Sequence, residues 1–336
     1  MMPMDAKEAA KNALKYVMDA VPNERIMIIT DDVCIRVAEA FAEGAVDLGL
    51  WTRLMGLKTG KDVRVELPQE LSDAIVSIPS AIFITLFREN ETETPFRIRI
   101  IDLITRYRKN RLGHCPGITF DMLTEGGLAL SPDEHKEIYA SAQRLMNRMA
   151  DVKTLQVTSP SGTDVTLSVA GRTFMTDTRF DWKTFKWGNL PTGEIWAGPV
   201  EDSLNGTIVC DLAIGGIGQI FSTMKITARQ GRAIKFECND GAVLQRVENA
   251  LGIDDMAKVI GEFAFGLNRK ARVSANFVEA EKLGDAVHFA FGHNTDMPGG
   301  MNTSATHMDF LVSKPTVEAT RNNGEKFIAM KNGQIL

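Results

Sequence analysis

Histidine, cysteine and tyrosine are all scarce in this chain. The 336 residues include five histidines, four cysteines and three tyrosines. The cysteines are widely separated and form no Cys-x-x-Cys pair, which argues against a zinc ribbon and against a disulfide framework. They are Cys34, Cys115, Cys210 and Cys238. This cysteine usage fits a reducing compartment, so we expect a cytoplasmic protein.

The chain also lacks a long apolar segment and an excess of basic residues. Its longest apolar stretch, AIVSIPSAIFITLF, is too short and too interrupted to span a bilayer. The 43 acidic residues against 38 basic ones give a net charge of −5. That balance provides no general attraction for nucleic acid or anionic lipid, so we expect neither as a partner.

The first half of the chain alternates strand and helix signals. RIMIIT, WTRLMGL and SAIFITLF predict strands, and the segments between them carry apolar residues at helical spacing. This alternation is typical of an α/β domain with a parallel sheet. We expect that domain to cover residues 1–152 and to end with the helix SPDEHKEIYASAQRLMNRMAD, which begins with a capping serine.

The second half consists of short alternating segments that predict antiparallel strands and hairpins. Examples are TLQVTSPSGTDVTLSVAG and EKFIAMKNGQIL, the latter with an Asn-Gly turn. The glycine-rich AIGGIGQIF lacks the spacing of a phosphate-binding loop and predicts a hairpin. We therefore expect an α+β, strand-rich domain over residues 153–336.

Three of the five histidines, His288, His293 and His307, fall within twenty residues of one another. His307 lies in SATHMDFLV, and on a strand it shares one face with Asp309. Burying an imidazole beside a carboxylate is costly unless a partner compensates, and a divalent cation is the strongest compensator. An isolated His-x-Asp also fits a hydrogen-bonded pair at a sheet edge. The clustering of histidines favours a metal site.

Two glutamates interrupt apolar segments of the same half. Glu194 follows a Pro-Thr-Gly turn, and Glu262 lies in VIGEFAFG. Either one alone is typical of a solvated surface residue. Together with two histidines and an aspartate they form a set of nitrogen and oxygen ligands that suits a pair of divalent metals, because carboxylates can bridge two ions.

Five ordered motifs carry a resemblance to a known family. They are TSPSGTDVTLSVAGR, GNLPTGEIWAGPVEDSLNGTIV, IGEFAFGLN, AVHFAFGHN and THMDFLV. In this order they resemble the aminopeptidase T and aminopeptidase S family of dinuclear metallopeptidases, over roughly residues 150–315.

The resemblance implies a ligand set and an activity. The implied metal ligands are Glu194, Glu262, His288, His307 and Asp309. Two divalent ions (zinc, cobalt or manganese) would hold a hydroxide that attacks the first peptide carbonyl, and Glu262 would bridge the ions or transfer a proton. The resemblance also implies a peptide substrate and a homodimer.

The sequence departs from the family in two respects: it is shorter than typical members, and relatives usually carry a tyrosine shortly after the HxAxG motif. Here Thr295 follows that motif, and no tyrosine occurs after Tyr139. His293 is the candidate that could replace the tyrosine as a donor to the reacting carbonyl, and the alternative is that it is an ordinary surface histidine. Two other interpretations remain open: a mononuclear iron dioxygenase that cleaves aromatic rings, using His288, His307 and Asp309, and a metal-binding protein without turnover.

Overall fold

The computed structural model describes residues 3–60, 63–78, 80–107, 109–183 and 187–336. Two compact units divide the chain: Met1–Tyr139 with Asp177–Thr192, and Ala140–Thr176 with Gly193–Leu336. The sequence predicted one crossing near residue 152, whereas the chain passes between the units three times.

Two local features account for this difference. Residues 177–192 return to the first unit because the strand Trp187–Asn189 joins its parallel sheet. Residues 140–152 belong to the second unit, where Arg148 donates to the carbonyl of Ile328 at 3.1 Å.

The first unit is a parallel sheet with helices in its connections. Its elements are α1 (Ala6–Tyr16), β1 (Arg25–Asp31), α2 (Ile35–Asp47), β2 (Trp51–Leu57), α3 (Gln69–Val76), β3 (Ile82–Phe87), a 3₁₀ turn (Glu91–Glu93), α4 (Thr94–Thr105), β4 (Arg111–Pro116), α5 (Phe120–Thr124) and β8 (Trp187–Asn189). The strands lie in the order β2-β1-β3-β4-β8, and each pairing is parallel.

Burial explains why β1 and β3 read as continuous apolar runs. A parallel sheet is covered on both faces, so its central strands bury residues on each side. Every residue of β3 is buried, as is every residue of β1 except Arg25. The mixture of parallel strands and helices confirms the α/β character expected of the N-terminal half.

Helix α6 (Pro132–Met149) starts in the first unit and ends in the second. Ser131 caps it as the sequence predicted: its Oγ accepts from the amide of Glu134 at 3.3 Å, and Glu134 accepts in return from the amide of Ser131 at 2.8 Å. This reciprocal pair is a capping box, which satisfies amides that a helix start leaves open.

The second unit consists mainly of two antiparallel sheets. Its strands are β5 (Val152–Thr158), β6 (Asp164–Ser168), β7 (Met175–Thr176), β9 (Glu194–Ala197), β10 (Asn205–Cys210), β11 (Ala213–Ile214), β12 (Gly218–Gln219), β13 (Met224–Arg229), β14 (Arg232–Glu237), β15 (Ile260–Gly266), β16 (Ala286–Gly292), β17 (His307–Ser313), β18 (Thr316–Arg321), β19 (Lys326–Lys331) and β20 (Gln334–Ile335). Its helices are α7 (Gly241–Leu251) and α8 (Phe277–Ala280).

One sheet has the order β14-β13-β10-β6-β5-β18-β19-β20, and the other has the order β12-β11-β17-β16-β15-β9-β7. The glycine-rich AIGGIGQIF forms the β11–β12 hairpin, as predicted. Among the described helices, none is long and apolar enough to cross a membrane.

Phenylalanines pack one face of β15, β16 and β17. Phe263 lies opposite Phe289, and Phe289 lies opposite Phe310. The rings of Phe263 and Phe289 are 5.3 Å apart, and those of Phe291 and Phe310 are 5.9 Å apart. Because side chains alternate along a strand, the residues between these phenylalanines all point to the other face.

Candidate metal centre

The five predicted ligands lie on four adjacent strands of one sheet. Glu194 begins β9, Glu262 is on β15, His288 on β16, and β17 carries His307 and Asp309. These strands are neighbours in the order β17-β16-β15-β9. The alternation that the sequence indicated for His288 and for the His-x-Asp pair places all of them on the face opposite the phenylalanines.

Small residues leave space between the ligands. Ala290 lies between Glu262 on one neighbouring strand and Asp309 on the other, and His288 lies beside Ala264. Both alanines are fully buried. The methyl groups at these two positions take up little space beside the larger polar side chains, on a sheet whose other face carries aromatic rings.

The ligand atoms converge around the two imidazoles. His288 Nε2 lies 3.4 Å from Glu262 Oε1, 3.6 Å from Glu194 Oε2 and 3.9 Å from Asp309 Oδ1. His307 Nε2 lies 3.2 Å from Glu262 Oε2 and 3.5 Å from Asp309 Oδ1. Glu262 therefore directs one carboxylate oxygen to each histidine.

Two groups of side chains could each hold a metal ion. One is Glu194, Glu262 and His288, the other is Glu262, His307 and Asp309, and within each group the ligand atoms lie within 4.8 Å of one another. Glu262 belongs to both. A carboxylate shared by two ligand groups has the geometry of a bridging ligand.

Burial and charge set the protonation of these groups. Burial opposes a charge on His288, but its hydrogen bond to Glu262 and the charges of Glu194 and Asp309 raise its pKa to about 9. Burial likewise opposes a charge on Glu262, yet hydrogen bonds from both histidines lower its pKa. Imidazoles must lose these protons to bind a metal, so metal uptake would release protons.

His307 is the most accessible of the five, with 33% of its side chain exposed, compared with 12% or less for the other four. Burial opposes its charge, but the attraction and hydrogen bonding of Asp309 and Glu262 raise the pKa of His307 well above its ordinary value. The centre is therefore reached from the His307 side.

The main chain of His293 fixes the orientation of His307. His307 Nδ1 lies 2.8 Å from the carbonyl oxygen of His293, and a carbonyl can only accept, so this nitrogen carries the proton. In the neutral ring Nε2 is then the free lone pair that faces Glu262 and Asp309. A backbone carbonyl commonly orients a metal-binding histidine in this way.

The side chain of His293, the predicted replacement for tyrosine, is half-buried just beyond the end of β16. Its Nε2 lies 3.0 Å from Thr295 Oγ1. His293 thus contacts the centre through its backbone carbonyl, and no sequence pattern predicted this contact.

A lysine and a further glutamate adjoin the centre, and the sequence did not indicate either. Lys282 Nζ lies 2.5 Å from Glu194 Oε1 and 2.7 Å from Glu281 Oε1. Adjacent charged residues are common on surfaces, so the dipeptide Glu281-Lys282 carried no signal. Its significance comes from the fold, which buries Lys282.

The donor set fits divalent cations. Three carboxylates and two imidazoles, without thiolate, suit zinc, cobalt, manganese or iron, since nitrogen and oxygen ligands accommodate all of them. Buried carboxylates and imidazoles on one face are costly without such a partner. The residues present therefore fit a metal centre of one or two ions.

The comparisons with known proteins agree with this geometry. A family model described as thermophilic metalloprotease (M29) matches residues 131–335, which is more than half of the chain and includes all five predicted ligands. The protein is thus of the metalloprotease class, and it belongs to the M29 family.

Individual relatives are more distant. Aminopeptidase 2 of Geobacillus stearothermophilus is 23% identical over 164 residues, which cover 43% of this chain and 39% of that relative. The structure of wild-type AmpT from Thermus thermophilus is similar, with a TM-score of 0.72 at 15% identity over 98% of each chain.

The second structure is 2,5-dihydroxypyridine dioxygenase from Pseudomonas putida KT2440. Its TM-score is 0.64, at 15% identity over 98% of this chain and 96% of the other. At this identity both structural matches establish the fold alone.

Proposed function

We propose that the protein is a metal-dependent aminopeptidase that removes N-terminal residues from peptides with two divalent ions. The observation that carries this proposal is the sharing of Glu262 by two ligand groups in a chain of a metalloprotease family. The similarity to Aminopeptidase 2 supports the choice of an N-terminal residue as the site of cleavage.

Each side chain has a distinct task in this proposal. His288 and His307 supply neutral Nε2 atoms, and Glu194 and Asp309 supply one carboxylate each to the two groups. Glu262 would bridge the two ligand groups, or it would take the proton that water releases when it attacks the peptide carbonyl. When bound, divalent ions supply Lewis-acid polarisation of the peptide carbonyl and lower the pKa of water.

We assign His293 the role of donor to the reacting carbonyl oxygen. It lies at the exposed side of the centre, where its carbonyl already contacts His307, and its ring is held by Thr295. An imidazole there would replace the tyrosine that this chain lacks. In this proposal a donor strengthens charge stabilisation in the transition state.

A ring-cleaving iron dioxygenase is the second candidate, and the similarity to 2,5-dihydroxypyridine dioxygenase is the observation that favours it. Its iron would need His288, His307 and Asp309, a set of two histidines and one carboxylate. Glu194 and Glu262 would not be ligands in such a triad, yet both are buried beside it here. Their presence favours the hydrolase.

Substrate chemistry separates the two candidates. Metal-depleted protein reloaded with zinc, cobalt or manganese should hydrolyse unblocked aminoacyl substrates and leave their N-acetylated counterparts intact. A parallel assay should measure oxygen uptake with iron and a dihydroxylated aromatic compound. Oxygen uptake without peptide hydrolysis would establish the dioxygenase, and metal binding without either activity would establish a binding protein.

We also propose, on the family resemblance, that the chain acts as a homodimer, and on its cysteine usage that it acts in the cytoplasm. Light scattering on the purified protein checks the first expectation: a mass of about one chain, 37.0 kDa, would contradict it.

A further inference from the structure

Lys282 places a buried positive charge beside one of the two ligand groups. Its side chain is 3% exposed, and its ammonium lies 2.5 Å from Glu194 Oε1. The other oxygen of Glu194, Oε2, is the one that faces His288. Glu194 therefore connects a fixed internal cation to the position where a metal ion would bind.

Two glycines allow the chain to bring Lys282 this close. Gly266 pairs with Glu194 across β15 and β9, and a Cβ at Gly266 would come within 2.0 Å of the carbonyl oxygen of Leu283. Gly193, at φ +132, packs so closely against Asn268 that a Cβ would lie 2.6 Å from its side chain. The backbone is thus shaped to hold residues 282–283 against the start of β9.

The other ligand group has a different electrostatic environment. Asp309 and Glu262 face His307, at 3.5 Å and 3.2 Å, whereas the ammonium of Lys282 is paired with Glu194 and Glu281. A cation at Glu262, His307 and Asp309 would meet an aspartate that faces the two imidazoles, which carry no charge once a metal ion displaces their protons. A cation at Glu194, Glu262 and His288 shares its glutamate with an ammonium and is repelled by it.

We propose that Lys282 makes the two metal positions unequal. The position formed by Glu262, His307 and Asp309 fills first, and the position at Glu194 and His288 binds its ion more weakly because Lys282 offsets the charge of Glu194. Lys282 thereby sets the metal concentration at which the second ion enters. This inference rests on the proposed metal centre and not on the nature of the substrate.

Glu281 moderates this effect. Its Oε1 lies 2.7 Å from Lys282 Nζ, so it neutralises part of the ammonium charge that the second ion would meet. Removing the charge of Glu281 should therefore weaken binding of the second ion further. Removing the charge of Lys282 should strengthen binding of that ion. The two substitutions act on adjacent residues and in opposite directions.

Equilibrium dialysis of metal-depleted protein against graded Co²⁺, followed by metal analysis, tests the inference. Wild-type protein should bind two ions in two steps whose Kd values differ by roughly tenfold or more. Lys282→Met should lower the second Kd by a similar factor, and Glu281→Gln should raise it. Lys225→Met makes the same change at an exposed position on β13 and should leave both steps unaltered.

Several outcomes would overturn the inference. Wild-type protein that takes up two ions with equal affinity contradicts it without any substitution, even if Lys282→Met fails to fold. A folded Lys282→Met variant with an unchanged second step does so as well. If wild-type protein binds no Co²⁺, the proposed metal centre is wrong. If wild-type protein and Lys282→Met each bind only one ion, the proposed second metal position does not exist.

Discussion

Replacing Glu262 by glutamine should weaken metal binding at both proposed metal positions. Glutamine keeps the shape of the side chain but removes its charge and turns one ligand oxygen into an amide nitrogen, which cannot bind a cation. Glu262 directs one oxygen to each histidine, at 3.4 Å and 3.2 Å, and it belongs to both ligand groups. A single substitution therefore acts on two ions.

The expected magnitude follows from this shared position. Loss of a partner that merely supports a ligand typically weakens metal binding by about 10–100-fold, so loss of a ligand should exceed that at each position. Glu194 and Asp309 each belong to only one ligand group. Glu194→Gln and Asp309→Asn should therefore each weaken the binding of one ion.

Metal analysis after dialysis against buffered free metal measures this directly, with circular dichroism to confirm that each variant is folded. Glu262→Gln should retain fewer ions than either of the other variants. If it retains as many ions as Glu194→Gln, Glu262 does not bridge the two groups and the reasoning is refuted.

Three other substitutions test separate parts of the account. His293→Ala should lower kcat by a factor of roughly 10²–10³ if the ring is a donor. Metal content should stay unchanged, because the backbone carbonyl of residue 293 holds His307. An unaltered kcat would show that the His293 ring has no part in the mechanism. Burial opposes the charge of Glu93, but hydrogen bonds from Arg64 and Arg88 outweigh it and lower the pKa of Glu93 to about 2. Its contribution to stability is present above its unfolded pKa of about 4.3 and is lost as the pH falls toward 2. Glu93→Gln should thus lower Tm at pH 7, by a margin that shrinks below about pH 4, and a constant margin would contradict this. Phe289→Ala should lower the free energy of unfolding by about 3–5 kcal/mol, measured by urea denaturation of metal-free protein, and a loss below about 1 kcal/mol would show that the phenylalanine face is not a packed core.

Strand alternation made most of the geometry of the candidate metal centre predictable. In THMDFLV and AVHFAFGHN a period of two separates polar from apolar residues, so the shared face of His307 and Asp309, and the separation of His288 from Phe289, follow from local geometry. The parallel sheet of the first unit was predictable for a similar reason, because β1 and β3 are continuous apolar runs.

Contacts made by turns were not predictable in this way. Lys282 reaches Glu194 because Gly266 admits residues 282–283 against the end of β15, a tertiary approach that leaves no periodic trace in the sequence. The return of β8 to the first sheet was missed for the same reason. A strand of three residues, Trp187–Asn189, is too short to show an alternation of its own.

We propose that this centre hydrolyses peptides by means of bound divalent metal. The decisive assay is hydrolysis of an unblocked aminoacyl substrate. It is measured on one preparation before chelation, after complete removal of metal and after metal is restored. Activity of the wild type should disappear with the metal and return with zinc, cobalt or manganese, and Asp309→Asn should not recover activity under the same conditions. Hydrolysis that persists in fully metal-depleted protein would show that the reaction does not depend on bound metal.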